Sequence, residues 1–331
     1  MRRLFAMILA ASLCLSLCVP AFAVENEAIS SYTKDITMGE LQEMLLTYLA
    51  DSNQDINLGT ESYYHYVIDQ LIYERDQNLK EHPYYSYIRD YLARYKNQYE
   101  EMVALAKMES NSFYHVSEVP FYLSYSFLNK TISEIADENR SLFPELTTNV
   151  RTVNGYSPTA AVSYANTWAG TPSSPIYNSD YPYYSDNDCA NFVSQCLYAG
   201  GFTMHGSLRD IGTYNTTSEW YCRYIPYEWH GNSYISGYSL TTSWCRAKSL
   251  ATYLGSKALS STQVASNLAL TNIASAGDIA FVVTANTFEP YHAVILTSST
   301  TFSGHTNHRT NAFTTLLFDK PGECVNLYDL T

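Results

Sequence analysis

The sequence has few basic residues and no basic cluster. It contains 19 lysines and arginines against 32 aspartates and glutamates, which gives a formal net charge of -13 at pH 7. Proteins that bind nucleic acid or anionic lipid carry positive charge on the surface that does so. The composition therefore predicts that neither nucleic acid nor an anionic membrane surface is a partner of this chain.

Beyond its first residues, the chain also lacks an apolar run of the roughly 20 residues that span a bilayer. Two arginines open the sequence, an apolar run continues to Val19, and the small-residue pattern Ala21-Phe22-Ala23 follows. This order is typical of a cleaved signal peptide. We expect residues 1–23 to be removed and the mature protein to be secreted, without membrane insertion after cleavage and with the cell wall as a candidate location.

Cysteines are few, and familiar metal-binding motifs are absent. Five cysteines remain after the predicted cleavage: Cys189, Cys196, Cys222, Cys245 and Cys324. Their odd number leaves at least one outside any intramolecular disulfide, and the sequence leaves the connectivity open, including a Cys222–Cys245 pair. Neither CxxC nor HExxH occurs, and Cys189 with the short spacing of His305 and His308 is a weak zinc pattern. We expect no metal and no other cofactor.

The composition changes near residue 150, where Gly, Ser, Thr and Asn become frequent and the apolar runs shorten. This change divides the predicted mature chain into a mainly helical region with some strands, residues 24–150, and a second domain, residues 151–331. In the second domain, short apolar runs between turn signals favour antiparallel strands over βαβ units. The fold class expected for the whole chain is α+β.

Helical periodicity dominates the first region. Thr37 and Glu40 have the spacing of a capping box, and apolar residues at i, i+3, i+4 and i+7 follow. Two further helices are predicted over residues 61–79 and 84–108, with the break at His82-Pro83. The aromatic-rich segment 113–132 alternates in polarity and predicts strands.

The 31 tyrosines raise the question of sugar binding, because flat aromatic faces stack on sugar rings. In the N-terminal region, however, Tyr84, Tyr87, Tyr91 and Tyr95 recur at helical spacing. This spacing favours packing against a core for most of them.

One helix start is chemically notable. In the segment 185–201, Cys189 directly follows Asp188, apolar residues recur at helical spacing, and Gly200-Gly201 provides a stop. A helix N-terminus has unpaired N–H groups and about half a positive charge, which together lower the pKa of a cysteine there. Cys189 is therefore predicted to be a nucleophile and Cys196, seven residues further into the helix, to be buried and inert. Asp188 is expected to cap the helix, with support of the nucleophile as a second role.

A nucleophilic cysteine needs a base, and His292 is the candidate. Residues 276–283 and 291–298 read as successive strands, and His292 lies at the start of the second. Histidine suits the role because its unperturbed pKa lies near neutrality.

A third strand is predicted over residues 301–310, and it offers groups that could orient His292. Alternation along that strand would put His305 and Asn307 on one face and His308 on the opposite, solvent-exposed face. A Cys-His pair usually requires a third polar group. We favour His305 and keep Asn307 as the alternative.

Six segments carry a family resemblance: "AAVSYANTW", "DCANFVSQCLYAGGFTM", "SWCRAKSLATYL", "AGDIAFVV", "YHAVILTS" and "GHTNHRT". In this order, over residues 157–318, they resemble the putative amidase domain family, distant relatives of the papain-like NlpC/P60 cysteine hydrolases. The resemblance implies a nucleophile helix packed on an antiparallel sheet that presents the histidine. Ala190 stands where the family commonly has Thr, and "TANTFEP" lacks the Asp/Gly-rich turn of some relatives, so no metal is carried over.

The function expected from these features is a secreted cysteine amidase or peptidase that works through an acyl-enzyme. Its partner would be a peptide or amide substrate, with cell-wall peptides of peptidoglycan as the candidate. The alternative is a non-catalytic extracellular binding or adhesion protein that retains the fold. The sequence leaves open the substrate, the role of the N-terminal region and the oligomeric state.

Overall fold

The computed structural model describes residues 36–109, 121–141, 155–231 and 233–330, so the predicted signal peptide lies outside it. The α-helices of these residues are α1 Met38–Asp51, α2 Glu61–Ile68, α3 Gln77–Lys80, α4 Tyr85–Glu109, α5 Tyr125–Leu128, α6 Ile132–Ser141, α7 Pro158–Trp168, α8 Cys189–Ala199, α9 Thr242–Cys245, α10 Ala247–Leu254 and α11 Asn267–Ile273. None of these helices is long and apolar enough to cross a membrane.

The strands form two sheets. They are β1 Gly212–Tyr214, β2 Cys222–His230, β3 Ser233–Thr241, β4 Ser260–Val264, β5 Ile279–Val283, β6 Pro290–Leu296, β7 Thr301–Gly304, β8 Arg309–Phe313 and β9 Cys324–Asp329. A six-stranded sheet has the order β4-β9-β5-β6-β7-β8 and is antiparallel throughout, while a smaller sheet has the order β1-β3-β2. The predicted α+β class with an antiparallel sheet is confirmed.

The N-terminal helices largely follow their local signals. Thr37 and Glu40 form the predicted capping box of α1. The helix predicted over residues 61–79 is interrupted, because α2 runs into one π-helical turn that ends at Glu74 in the left-handed conformation (φ 48°). The predicted break at His82-Pro83 is confirmed, since α4 starts directly after it.

The prediction of strands within residues 113–132 is wrong where the structure describes that segment. Tyr125–Leu128 is a helical turn that begins at Ser124, whose side chain accepts a hydrogen bond from the Phe127 N–H. Residues 113–120 lie outside the described residues. An N-cap hydrogen bond of this kind favours a helical start over an extended strand.

Alternate residues of β6 face two different cores. Val294 and Leu296 belong to a core that includes the N-terminal helices, whereas Ala293 and Ile295 pack with α8 on the other face. The sheet is therefore covered by helices on both sides, and α8 packs against β6. The composition change near residue 150 does not separate two cores, because the N-terminal helices and the sheet share one.

The predicted packing role of the N-terminal tyrosines is confirmed on α4. Tyr91 and Tyr95 are completely buried, and Tyr63 of α2 lies against the Tyr95 ring at 4.9 Å between centroids. Rings at this separation and an edge-on angle attract each other beyond simple burial.

The strand predicted over residues 301–310 is instead a hairpin. It consists of β7 and β8 joined by a turn over residues 305–308, in which Thr306 has φ 73° and His308 has φ 35°. Positive φ is rare for a β-branched residue such as Thr306 and is held only by surrounding contacts. The alternation argument that placed His305 and Asn307 on one strand face is therefore wrong.

Candidate active site

Cys189 occupies the first position of α8, as predicted, and its side chain is a free, buried thiol. The Sγ atom lies 3.5 Å from Oδ1 of Asn187. The sulfur also receives hydrogen bonds from the backbone of Ala293 on β6 and from the side chain of Thr306. The thiol thus lies where the start of α8, the strand β6 and the turn after β7 meet.

The expected lowering of the Cys189 pKa is wrong. Burial raises the pKa of the Cys189 thiol, and this desolvation outweighs the favourable effects of Lys96, the Ala293 backbone and Thr306. Cys196 is also buried and its pKa is raised well above its usual range by the same cause. Cys189 therefore rests as a neutral thiol at neutral pH.

Asp188 occupies the N-cap position of α8, but its side chain makes no capping hydrogen bond. Its Oδ2 atom lies 2.6 Å from Nδ1 of His305, and its Oδ1 accepts hydrogen bonds from the Tyr184 N–H and from Asn191. Both Asp188 and His305 are 1 % exposed. The Asp188 carboxylate therefore pairs with a buried histidine that lies more than a hundred residues away in the sequence.

His305 does not orient His292 in this structure. Its Nε2 lies 2.8 Å from the carbonyl oxygen of Trp168, which can only accept, so Nε2 carries a proton. Its Nδ1 is engaged by Asp188, and its ring stacks on Phe192 at 4.0 Å between centroids. With both nitrogens occupied, the predicted role of His305 beside His292 is replaced by a role beside Asp188.

The turn that follows β7 anchors the start of α8. The hydroxyl of Thr306 accepts a hydrogen bond from the Asp188 N–H, and its carbonyl accepts one from the Tyr73 hydroxyl. His308, expected at the surface, is instead buried, with Nδ1 3.0 Å from the Ala169 carbonyl. Thr306, whose φ is positive, is therefore the residue of this turn that bonds the backbone of Asp188, directly before Cys189.

His292 is partly buried and borders a cavity of about 80 Å³. Tyr291, Asn307, Lys320 and Glu323 are among the other residues that line the cavity. The Nδ1 atom of His292 is buried without a hydrogen-bond partner in the described part of the chain. Burial and the nearby charges of Lys320 and Lys96 lower the pKa of His292 to about 3, so the imidazole is neutral at neutral pH.

No hydrogen bond joins Cys189 and His292 in the described residues. His292 pairs with Val282 and shares the face of β6 that carries Val294, whereas Cys189 packs with Ala293 on the other face. The sulfur nevertheless contacts the backbone of Ala293, the residue next to His292. Asn307, the alternative orienting residue, borders the same cavity as His292.

A buried polar chain from α4 reaches the thiol. The Nζ of Lys96 lies 3.2 Å from Oε1 of Glu100, and Glu100 accepts a hydrogen bond from the amide of Asn187. The Asn187 oxygen in turn faces Cys189. Lys96 and Glu100 are both almost fully buried. Their i, i+4 spacing is common on exposed helix faces, so the sequence carries no signal of this role.

A second buried cluster fixes the start of β6. Glu289 is fully buried and has four partners within 3.1 Å: Arg94, Asn97, Asn139 and Lys248. Burial alone would raise the pKa of Glu289, but Arg94 and Lys248 lower it to about 2. The carboxylate therefore stays charged and links α4, α6 and α10 to the strand that carries His292.

The described residues show neither the Cys222–Cys245 disulfide nor a cluster of metal ligands. Cys222 is a free thiol, so the disulfide to Cys245 that the sequence allowed is not formed. Within residues 36–109, 121–141, 155–231 and 233–330, no group of three or more His, Cys, Asp or Glu side chains is arranged to hold a metal ion.

Comparison with known families decides the class of the protein. The model of the putative amidase domain matches residues 155–322, just over half of the chain. The chain belongs to the putative amidase domain family. The matched range contains the whole arrangement around Cys189, including β6 and the turn after β7, and membership of this family supports amide hydrolysis.

Similarity of this amidase-family chain to curated proteins is short in extent. A segment of 56 residues is 48 % identical to the uncharacterized protein YjcM of Bacillus subtilis (strain 168). This segment makes up 17 % of this chain and 12 % of YjcM. No solved structure matches the chain. The match with YjcM therefore carries no information on substrate.

The low pKa of His292 predicts a pH-dependent stability. The folded pKa of about 3 lies below the ordinary value of 6.5, so the unfolded state binds a proton first as the pH falls. The stability from this group is complete above pH 6.5 and is lost progressively toward pH 3. Between pH 7 and pH 4 the loss should approach about 3 kcal/mol.

Urea unfolding of the wild type and of His292→Asn at pH 7 and pH 4 measures this effect. We expect the variant to show the smaller loss of unfolding free energy between the two pH values. Since all other titrating groups are common to both proteins, equal losses would contradict a depressed pKa at His292.

Proposed function

We propose that this protein is a cysteine amidase in which Cys189 is the nucleophile and His292 is the base. The observation that carries the proposal is the position of the Cys189 thiol at the start of α8, in hydrogen-bond contact with the backbone of the residue next to His292. This arrangement lies inside the segment that matches an amidase family.

In the proposed reaction, the thiol proton passes to His292 while the sulfur attacks the carbonyl carbon of the amide. The C–N bond then breaks, the leaving nitrogen takes the proton from the imidazolium, and the acyl group stays on the sulfur as a thioester. Water, deprotonated by His292, hydrolyses the thioester and restores the thiol. The N–H groups at the start of α8 are suited to stabilise the oxyanion.

The resting protonation states support proton transfer during attack over a preformed ion pair. Burial keeps Cys189 as a thiol, and the pKa of about 3 keeps His292 as a neutral imidazole, which becomes an effective base only when it leaves the buried surroundings that lower its pKa. Because His292 and Cys189 lie on opposite faces of β6, this transfer requires the strand to rearrange at the register shift beside Val282 when substrate binds. Hydrogen bonds of a catalytic site often form only in the substrate complex, so the resting separation is compatible with this role.

Asn307 is the proposed orienting group for His292, and His305 has a supporting role. Asn307 and His305 both border the His292 cavity, but both nitrogens of His305 are engaged by Asp188 and by the Trp168 carbonyl. The Asp188–His305 pair holds the start of α8, and thereby the thiol, against the turn after β7.

The proposed substrate is an extracellular amide, with cell-wall peptides as the candidate class. The signal-peptide pattern at residues 1–23 supports secretion, and the resemblance to papain-like hydrolases supports peptide-like substrates. A second candidate is a binding protein that retains the fold without catalysis. The raised pKa of Cys189 and its position on the opposite face of β6 from His292 are the observations that favour this alternative.

Alkylation by a peptidyl chloromethyl ketone tests the proposal. We expect the reagent to modify Cys189, to leave Cys196 unmodified because it lies two turns from the N-terminus of α8, and to abolish hydrolysis of peptide amides. A chelator in the assay should leave turnover unchanged. Full turnover by protein whose Cys189 is completely alkylated would refute the proposal, and absence of both modification and turnover would favour the binding protein.

A further inference from the structure

The hairpin of β2 and β3 exposes a row of aromatic rings. Tyr224, Tyr227 and Trp229 on β2 and Tyr234 on β3 are each 56–80 % exposed, although large apolar side chains are usually covered. Exposed apolar groups that cluster, in contrast to scattered ones, mark interaction sites.

The exposed rings share one face with Tyr238. In the β2–β3 register, Tyr224 lies opposite Tyr238 and Trp229 opposite Tyr234, so each pair points to the same side of the hairpin. The ring of Tyr234 also contacts those of Trp229 and Tyr227, at 5.0 and 6.5 Å between centroids. The five rings form two groups on this side of the hairpin, Tyr224 with Tyr238 and Tyr234 with its two β2 neighbours, and we call the two groups together the aromatic face.

The tyrosine rings of the aromatic face end in hydroxyl groups, and no aliphatic side chain lies between Tyr234 and Tyr238 on this side of β3. Ser236 is the residue between Tyr234 and Tyr238 on this side of β3. The charged side chains of β2 are engaged elsewhere: Glu228 accepts a hydrogen bond from the Ile211 N–H, and Arg223 donates to the Gly206 carbonyl. A ligand of this face would therefore be neutral and would combine flat apolar patches with hydroxyl groups.

We propose that the aromatic face binds a neutral oligosaccharide. The C–H face of a pyranose ring stacks on an aromatic ring, while the sugar hydroxyls can bond the tyrosine hydroxyls and the indole N–H. From Tyr234 to Tyr238 the face extends about 13 Å along β3, which suits several linked sugars better than one. The acidic net charge of the chain opposes binding to an anionic surface.

This inference goes beyond the proposed hydrolysis, because the aromatic face contains none of the residues assigned to catalysis. Binding can therefore be measured in the full-length Cys189→Ala variant, where turnover is absent from the proposed mechanism. Trp229 is the reporter, since Trp220 and Trp244 are buried and Trp168 is only partly exposed.

We expect chitotetraose to change the emission of Trp229 in a saturable way. The double variant Tyr227→Ser/Tyr234→Ser keeps Trp229 and should bind at least tenfold more weakly. Tyr125→Ser removes a tyrosine that is 81 % exposed on α5, an element outside the β2–β3 hairpin, and should leave the affinity unchanged.

Three results would overturn the proposal: no change in Trp229 emission, equal affinity of the double variant, or equal weakening by Tyr125→Ser. Emission changes with neutral phosphatidylcholine vesicles but not with chitotetraose would assign the face to a lipid surface instead. Concentration-dependent dimerisation that Tyr227→Ser/Tyr234→Ser abolishes, without sugar binding, would assign it to a second copy of the chain.

Discussion

Cys189→Ala is expected to reduce amide hydrolysis by on the order of 10³-fold or more while the protein stays folded. The substitution removes the atom that would form the thioester, and loss of a covalent nucleophile is among the largest single-residue effects in hydrolases. The alanine keeps the Cβ that packs among Ala293 and its neighbours. Steady-state rates on peptide amides, together with the melting temperature, measure the two effects separately.

Cys196→Ala is the matched control, because both cysteines lie on α8 and both are buried. We expect this variant to keep its turnover and to lose only stability. If Cys196→Ala lost turnover at an unchanged melting temperature while Cys189→Ala remained active, the nucleophile would be Cys196 and the assignment would be reversed.

Glu289→Ala should lower the free energy of unfolding by about 3–5 kcal/mol. The substitution removes the carboxylate that Arg94 and Lys248 share, and breaking a buried ion pair leaves an uncompensated charge in the interior. It also removes the hydrogen-bond acceptor of Asn97 and Asn139 next to β6. Urea unfolding at neutral pH, where the Glu289 carboxylate is ionised, measures the loss.

Glu138→Ala provides the comparison for that prediction. Glu138 also faces Arg94, at 3.9 Å, but its side chain is 45 % exposed. Exposed ion pairs contribute about 1 kcal/mol or less, so this variant should remain close to the wild type. If both variants lost the same free energy of unfolding, the loss would come from the unpaired charge of Arg94 and not from the burial of Glu289.

Patterns within one element predicted much of this fold. The capping box at Thr37, the break before α4 and the start of α8 at Cys189 depend on residues close in sequence, and each is confirmed. The interruption of the helix at Glu74 and the turn at Thr306 depend on positive φ at residues that rarely adopt it. No sequence pattern marks such positions.

The chemistry of the site was harder to predict than its position. A helix start favours a thiolate at Cys189, but tertiary packing buries the thiol and reverses the direction of the pKa shift. An aspartate before a helix favours capping, but His305 takes the Asp188 carboxylate. Both errors have one cause: the competing partner comes from a distant part of the chain, which local rules do not include.

The strand order of the larger sheet has a consequence for the timing of folding. Strand β9, which follows the other described strands in the chain, lies inside the sheet between β4 and β5. Before β9 has emerged from the ribosome, β5 has an unpaired edge, and exposed edges of apolar strands invite association with other chains. The long sequence separation between paired strands also slows folding. A chain delivered from its N-terminal end therefore depends on protection of that edge until β9 arrives.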